Sequence, residues 1–128
     1  MAKRYLLDTD ILIEYLRGRE QAATFLESLT GDLLLSVITV AELYSGIRNA
    51  LEEKSVERFL HTFEVISIDE VIARRAGLLR REYRQSHGTG LADALIAVSA
   101  ENAHATLVTF NERHFPMLDD VQVPYQRN

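Results

Sequence analysis

The sequence contains no cysteine, which excludes disulfides, thiolate zinc sites and thiol nucleophiles together. Its four histidines are scattered and form no helical HExxH pair, so any metal must rest on hard oxygen ligands. No apolar run approaches the roughly 20 residues that span a bilayer. The opening "MAKRYLLDTD" places an acid where a secretory signal would continue its hydrophobic stretch, and a cytoplasmic protein with no membrane association is expected. Positive charge is in deficit, with 14 Lys and Arg against 19 Asp and Glu, a net charge of -5. That argues against holding nucleic acid by bulk electrostatics and leaves room for a nucleic-acid enzyme only where basic residues cluster. Proline is scarce as well: Pro116 and Pro124 are the only two, and neither a low-complexity linker nor an internal repeat is visible.

What the chain does have is apolar residues in short blocks. Its 128 residues, 47% of them apolar, are expected to form one domain over 1–128 around one core. Buried strands are expected at Arg4–Leu7, Leu33–Ser36, Val65–Ile68 and Thr106–Thr109, with a weaker one at Val121–Val123. Helix-like segments separate them. Val56, Phe59, Leu60 and Phe63 repeat at helical spacing, and so do Ile72, Ala76, Leu79 and Tyr83. Strands separated by helices imply βαβ crossovers, so the predicted class is α/β: a parallel sheet of about five strands flanked by helices on both faces.

In such a sheet, ligands gather beyond the carboxyl ends of the strands, which makes acids that follow strands informative. Asp8 and Asp10 follow the first apolar block in "RYLLDTDILIEYL". Glu42 lies in "SVITVAELYSGI", early in a helix whose expected cap is Ser36 or Thr39. Asp93 lies in "GTGLADALIAVSA", just after the break made by Gly88 and Gly90. Each has a plain structural explanation: Asp8 as the cap of a helix beginning near Ile11, Glu42 and Asp93 as acids favoured at positive helix starts. Asp93 is the hardest to dismiss. Among Asp, Glu, Lys and Arg it stands alone between Arg84 and Glu101, in an apolar stretch where a carboxylate is costly unless a cation or hydrogen bonds compensate it. If Asp8, Glu42 and Asp93 converge, a hard divalent cation, Mg2+ or Mn2+, would relieve their repulsion and acidify a water able to attack phosphorus.

The segments "LLDTDILIEYLRG", "SVITVAELYSGIRN" and "LADALIAVSAENAHATLVTFNERHF", in this order, resemble the PIN-domain ribonucleases, in particular the VapC-like toxins of toxin-antitoxin pairs. The resemblance runs from Tyr5 to Phe115. It implies a single compact PIN-like domain with endoribonuclease activity dependent on Mg2+ or Mn2+. Asp8, Glu42 and Asp93 match the family's three central acids, implied to be catalytic and to hold the metal. Thr9 and Asp10, beside the first acid, are implied to support it, with Thr109 and Asn111 as further candidates. Relatives commonly carry a fourth acid in the segment that here reads "TFNERHF", where Asn111 or His114 stands instead. This departure bears on a second metal site and leaves the three-acid core in place. Asp119 and Asp120 are expected in a surface turn before the last strand. The implied partners are an RNA substrate, a small cognate antitoxin lying across the active-site groove, and a second copy in a homodimer.

Other readings of the same residues exist. A haloacid-dehalogenase-like phosphatase would use Asp8 and Asp10 as nucleophile and acid-base, but needs a later lysine at the phosphate. The only lysines are Lys3, ahead of the pair, and Lys54, in the middle helical region. A receiver domain could accept phosphate on Asp69 and lacks the late lysine too. A PIN-fold binding module with vestigial activity is the non-enzymatic alternative. Arg74, Arg81 and Arg84, in "RRAGLLRREYR", read either as a solvated helix face partly paired to Glu70 and Glu82 or as an RNA-orienting ridge. Tyr44, Ile47 and Leu51, with Val56, Phe59 and Leu60, read first as the protein's own core and otherwise as a clamp for the antitoxin or a second subunit.

Overall fold

The pleat of a strand sends neighbouring residues to opposite faces, and the paired apolar residues of these strands follow it. In the computed structural model, which describes residues 3–127, five parallel strands form one sheet. They are β1 (Arg4–Leu7), β2 (Asp32–Ser36), β3 (Glu64–Ile66), β4 (Thr106–Val108) and β5 (Val121–Gln122), in the order β3-β2-β1-β4-β5. Between β1 and β2 lie α1 (Thr9–Leu16) and α2 (Glu20–Ser28), and between β2 and β3 lie α3 (Val37–Ser45) and α4 (Ala50–Leu60). Helices α5 (Glu70–His87) and α6 (Leu91–Ala103) lead to β4, and a 3-10 turn at Glu112–His114 precedes β5.

Leu7, Leu35 and Val108 face Ile11, Leu12, Leu26, Leu43 and Val56 of the first four helices. Leu6, Leu34 and Leu107, one residue earlier on each strand, face Ile96, Ala97 and Ala100 of α6. Both faces are therefore covered, as the class requires. Truncating any of these buried leucines to alanine is expected to cost about 2–5 kcal/mol. Helix α6 is covered twice, because Ile72, Ala76 and Leu79 of α5 pack on its Ala94 and Val98. A helix buried on two sides has little room for charge, which explains why the stretch around Asp93 is so apolar.

The strands β3, β4 and β5 end earlier than the apolar blocks suggest, and register explains why. Ser36 pairs with Ile66 at the last rung between β2 and β3. Ser36 then caps α3, its hydroxyl accepting from the Ile38 N–H at 3.3 Å, so Ser67 and Ile68 have no strand to pair with. Leu7 and Val108 likewise share the last rung between β1 and β4. This leaves Thr109 just past the strand, and Val123 beyond the end of β5. Phe63 also lies outside α4, in the turn before β3, although its spacing continues the helix.

The first two crossovers step from β1 toward β3, and the later ones run from the far side of β1 toward β5. The direction of winding reverses between β1 and β4. At that switch point the connections diverge and leave a crevice at the carboxyl ends of the strands.

A candidate acidic active site at the switch point

Asp8 leaves β1 with extended backbone and caps α1, its Oδ1 accepting the Thr9 N–H at 2.8 Å. The capping explanation is therefore correct, but it accounts for only one of its oxygens. The other, Oδ2, accepts the Thr109 hydroxyl at 2.7 Å. The Asn111 N–H donates to that hydroxyl at 3.0 Å, and the single Thr109 proton favours Asp8 Oδ2 at 2.7 Å over Asp10 Oδ2 at 3.5 Å. The end of β4 thus grips the end of β1.

Asp10 enters the same crevice. Its Oδ2 accepts from the Phe110 N–H and from the Asn111 side-chain amide, each at 3.1 Å, while its Oδ1 is buried without a partner. Asp93, the third residue of α6, reaches back to the Gly90 N–H at 2.9 Å and stands 3.3 Å from Nδ1 of His114. Gly88 closes α5 in the left-handed conformation (φ 68°) and ends beside the His114 ring. The Thr89 hydroxyl donates to the His114 carbonyl at 2.7 Å and fixes that turn. Glu42, half-buried on α3, accepts the Thr9 hydroxyl at 2.6 Å, and Thr9 is also hydrogen-bonded to Thr39 at 3.0 Å.

The electrostatics are those of a site short of positive charge. Burial first, then the neighbouring Asp10 and Asp93 carboxylates, push Asp8 up from an ordinary 3.8 to about 7, against the pull of its two hydrogen bonds. Asp10 is raised as well, foremost by burial, offset in part by the Phe110 N–H and by Arg127. Among the described residues no three carboxylate or imidazole groups already stand as a ready metal-ligand set. The donors are nonetheless what a hard divalent cation takes: oxygens only, crowded enough to resist ionisation, with one buried carboxylate oxygen unpartnered. A cation of this kind fits.

The two positions that lack the fourth acid divide between the others. Asn111 serves Asp10 and His114 serves Asp93, so neither stands free. Glu112 is exposed, and Asp120 accepts the Thr106 hydroxyl at 2.7 Å, at the start of β4 and away from the crevice. Of the arginines proposed to orient RNA, Arg74 is engaged by Glu70 near the start of α5. Arg81 and Arg84 lie exposed near its end, one to two turns before Gly88.

Beside Glu42 opens a groove of about 420 Å³ between α1, α3 and α4. Ile13, Leu16, Ile47 and Leu51 line it, and Leu51 is 73% exposed. Phe59 does not belong to it: it stacks on Tyr15 at 4.6 Å and meets Phe63 edge-on.

The PIN domain family model matches residues 5–121. The chain belongs to the PIN-domain family. It is 45% identical over 123 residues to Ribonuclease VapC10 of Mycobacterium tuberculosis, covering 94% of this chain and 92% of that protein. Ribonuclease VapC19 of the same organism is 40% identical over 124 residues, covering 94% of this chain and 98% of that one. Among solved structures, a toxin-antitoxin complex from Klebsiella pneumoniae contains a chain that superposes with a TM-score of 0.83 at 32% identity, covering 96% of this chain and 99% of that one. This PIN domain also has, among its described residues, no helix long and apolar enough to cross a membrane.

Reading the sequence alone missed three of this domain's contacts. Thr39 joins the Thr9 hydroxyl, His114 meets Asp93, and Arg127 bears on Asp10 from the segment after β5. Two of them carried a signal: Thr39 lies three residues before Glu42, one helical turn away on the same face, and His114 stands at a position where relatives often carry an acid.

Proposed function

We propose that the protein is a divalent-cation-dependent endoribonuclease, the toxin of a toxin-antitoxin pair, working in the cytoplasm. The carrying observation is the crowding of Asp8, Asp10 and Asp93 at the switch point, where Asp8 is pushed to about 7 and one Asp10 oxygen is buried without a partner. The names of the VapC relatives and of the toxin-antitoxin complex support the same reading.

Asp8, Glu42 and Asp93 would hold Mg2+ or Mn2+, which when bound supplies neutralising charge and the acidified water and polarised phosphate of phosphodiester hydrolysis. The other residues act through these three. Thr109 directs its proton to Asp8, Thr9 anchors Glu42, the Gly90 N–H and His114 aim Asp93, and Asn111 steadies Asp10. Such outer contacts fix which oxygens face a cation. Arg81 and Arg84, with Arg74 farther along α5, would orient the RNA backbone. Attack by water leaves 5′-phosphate and 3′-hydroxyl ends.

The groove beside Glu42 suits the antitoxin. Leu51 and Ile47 offer an apolar seat that leads to a catalytic acid, so a segment lying in it would cover the site. A homodimer completes the proposal. The phosphatase reading gains nothing, because Asp10 is committed to Phe110 and Asn111, and Lys54 lies on α4.

The test is cleavage of end-labelled cellular RNA by chelator-stripped protein, with Asp93→Asn in parallel. Cleavage restored by Mg2+ or Mn2+, lost in the variant and leaving 5′-phosphates is expected. Cyclic 2′,3′-phosphate ends, or full activity in the variant, would overturn the assignment. A well-folded protein that binds RNA or antitoxin and never cleaves would favour the binding-module alternative.

A further inference from the structure

The segment after β5 folds back over the edge of the crevice. Tyr125 meets the Phe110 ring edge-on, with centroids 5.0 Å apart, and the Arg127 guanidinium lies over the same ring at 4.1 Å from its centroid. Phe110 is the residue whose N–H holds Asp10, so this stack borders the acid cluster directly. Arg127 Nη1 is 3.5 Å from Glu14 Oε1, and Arg19 Nε is 3.5 Å from the other oxygen of the same carboxylate. Two guanidinium groups share the Glu14 carboxylate, so that carboxylate alone does not neutralise both. Glu14 does not consume Arg127, whose side chain remains 42% exposed.

A structural role alone explains this poorly, because a loose, half-exposed ion pair adds little to stability. A substrate explains it better. A polyanion approaching several carboxylates on a protein of net charge -5 needs a local cation at the point of entry. An arginine laid flat on an aromatic ring is preorganised for that task, since its fork of donors matches a phosphate while its face stays stacked. The arginines of α5 stand on the helix that precedes Gly88, whereas Arg127 borders the site from the Phe110 side, next to Asp10.

We propose that Arg127, stacked on Phe110 and held beside Glu14 and Arg19, is a phosphate subsite for the RNA backbone at the Asp10 edge of the active site. The proposal rests on the ribonuclease reading and adds to it a contact that positions substrate. It requires neither a base preference nor a change in the acid cluster.

The experiment measures binding of a fluorescent single-stranded RNA to the Asp93→Asn protein as a function of salt, alone and combined with Arg127→Ala or Arg127→Lys. Removing one phosphate contact is expected to weaken binding about 5- to 10-fold at low salt and to lower the magnitude of the log–log salt slope by roughly 0.7 to 1. Lysine should restore the slope and only part of the affinity. With Asp93 intact, Arg127→Ala should shift the melting temperature only slightly, because its ion pair to Glu14 is half-exposed, and should keep the stabilisation by Mn2+. Unchanged affinity and slope in Arg127→Ala, with wild-type cleavage intact, would overturn the subsite and leave the ribonuclease reading standing. So would a loss of affinity with an unchanged slope, which marks a packing defect. If wild-type protein neither cleaves RNA nor, as Asp93→Asn, binds it, the ribonuclease reading falls and the subsite with it.

Discussion

The two ends of the sheet treat charge in opposite ways. At the amino ends of the strands, Arg4 donates to the Ala103 carbonyl at 2.9 Å and stands 3.6 and 3.7 Å from Asp32 and Glu64. Three elements, α6, β2 and β3, are tied by one opposite charge. At the carboxyl ends, Asp8 and Asp10 sit together with Asp93 nearby, and among the described residues no Lys or Arg forms an ion pair with any of the three. One edge is arranged for stability, while the other holds like charges that work against it. A fold tolerates such crowding where a bound cation resolves it.

The largest effect that can break this contrast is Asp8→Asn. The amide can keep both hydrogen bonds, accepting from Thr9 while the Thr109 hydroxyl turns to accept, so the change removes charge and little else. RNA cleavage should fall by about a thousandfold, roughly 4 kcal/mol of barrier, while the metal-free fold becomes more stable at pH 8. The sign follows from linkage: Asp8 has its carboxyl at about 7 in the fold and near 3.8 unfolded, so the native state keeps a proton the unfolded chain has lost. Stability of the metal-free protein is therefore complete below about pH 4 and declines as pH rises through about 7, by up to about 4 kcal/mol. Denaturant titrations across this range should show that decline in the wild type and a flatter profile in Asp8→Asn. A variant that loses stability at pH 8 would contradict it.

Thr9→Val is a smaller change at the same edge. It keeps shape but removes the donor to Glu42 and the partner of the buried Thr39 hydroxyl, and cleavage is expected to drop about 10- to 100-fold with a loss of about 1–3 kcal/mol of stability. Arg4→Ala at the opposite edge should affect stability alone. Its hydrogen bond and partly exposed pairs are worth about 1–2 kcal/mol together, or a fall of roughly 3–8 °C in melting temperature, with cleavage unchanged at assay temperature. Loss of activity without loss of stability in Arg4→Ala would erase the distinction between the ends.

The acidic end of this contrast was legible in the sequence, because local pattern and chain position sufficed, whereas the pairing of Arg4 with Asp32 and Glu64 was not. Asp8, Glu42 and Asp93 each follow a strand or a glycine break, and a parallel sheet sends such positions to one edge. The strand blocks were legible for the same reason, though their ends were not: Ile68, Thr109 and Val123 fall outside because the neighbouring strand stops first. Contacts made across long sequence separations left no local trace. The Thr109 hydroxyl meets Asp8 across 101 residues, and neither residue's neighbours announce it. Arg127 on Phe110 depends on where the segment after β5 folds, which no periodicity encodes. His114 reads as a missing acid in the sequence, yet in the fold its Nδ1 stands 3.3 Å from the Asp93 carboxylate.

The central claim is that the like-charged edge is a cation site, and thermal unfolding of chelator-stripped protein titrated with Mn2+ tests it most directly. A ligand that binds only the fold stabilises it by RT ln(1 + [L]/Kd). The wild type should therefore melt at rising temperatures as Mn2+ increases past Kd, and Asp93→Asn should lose most of that response. A wild type indifferent to Mn2+, or a variant that responds equally, would contradict the account.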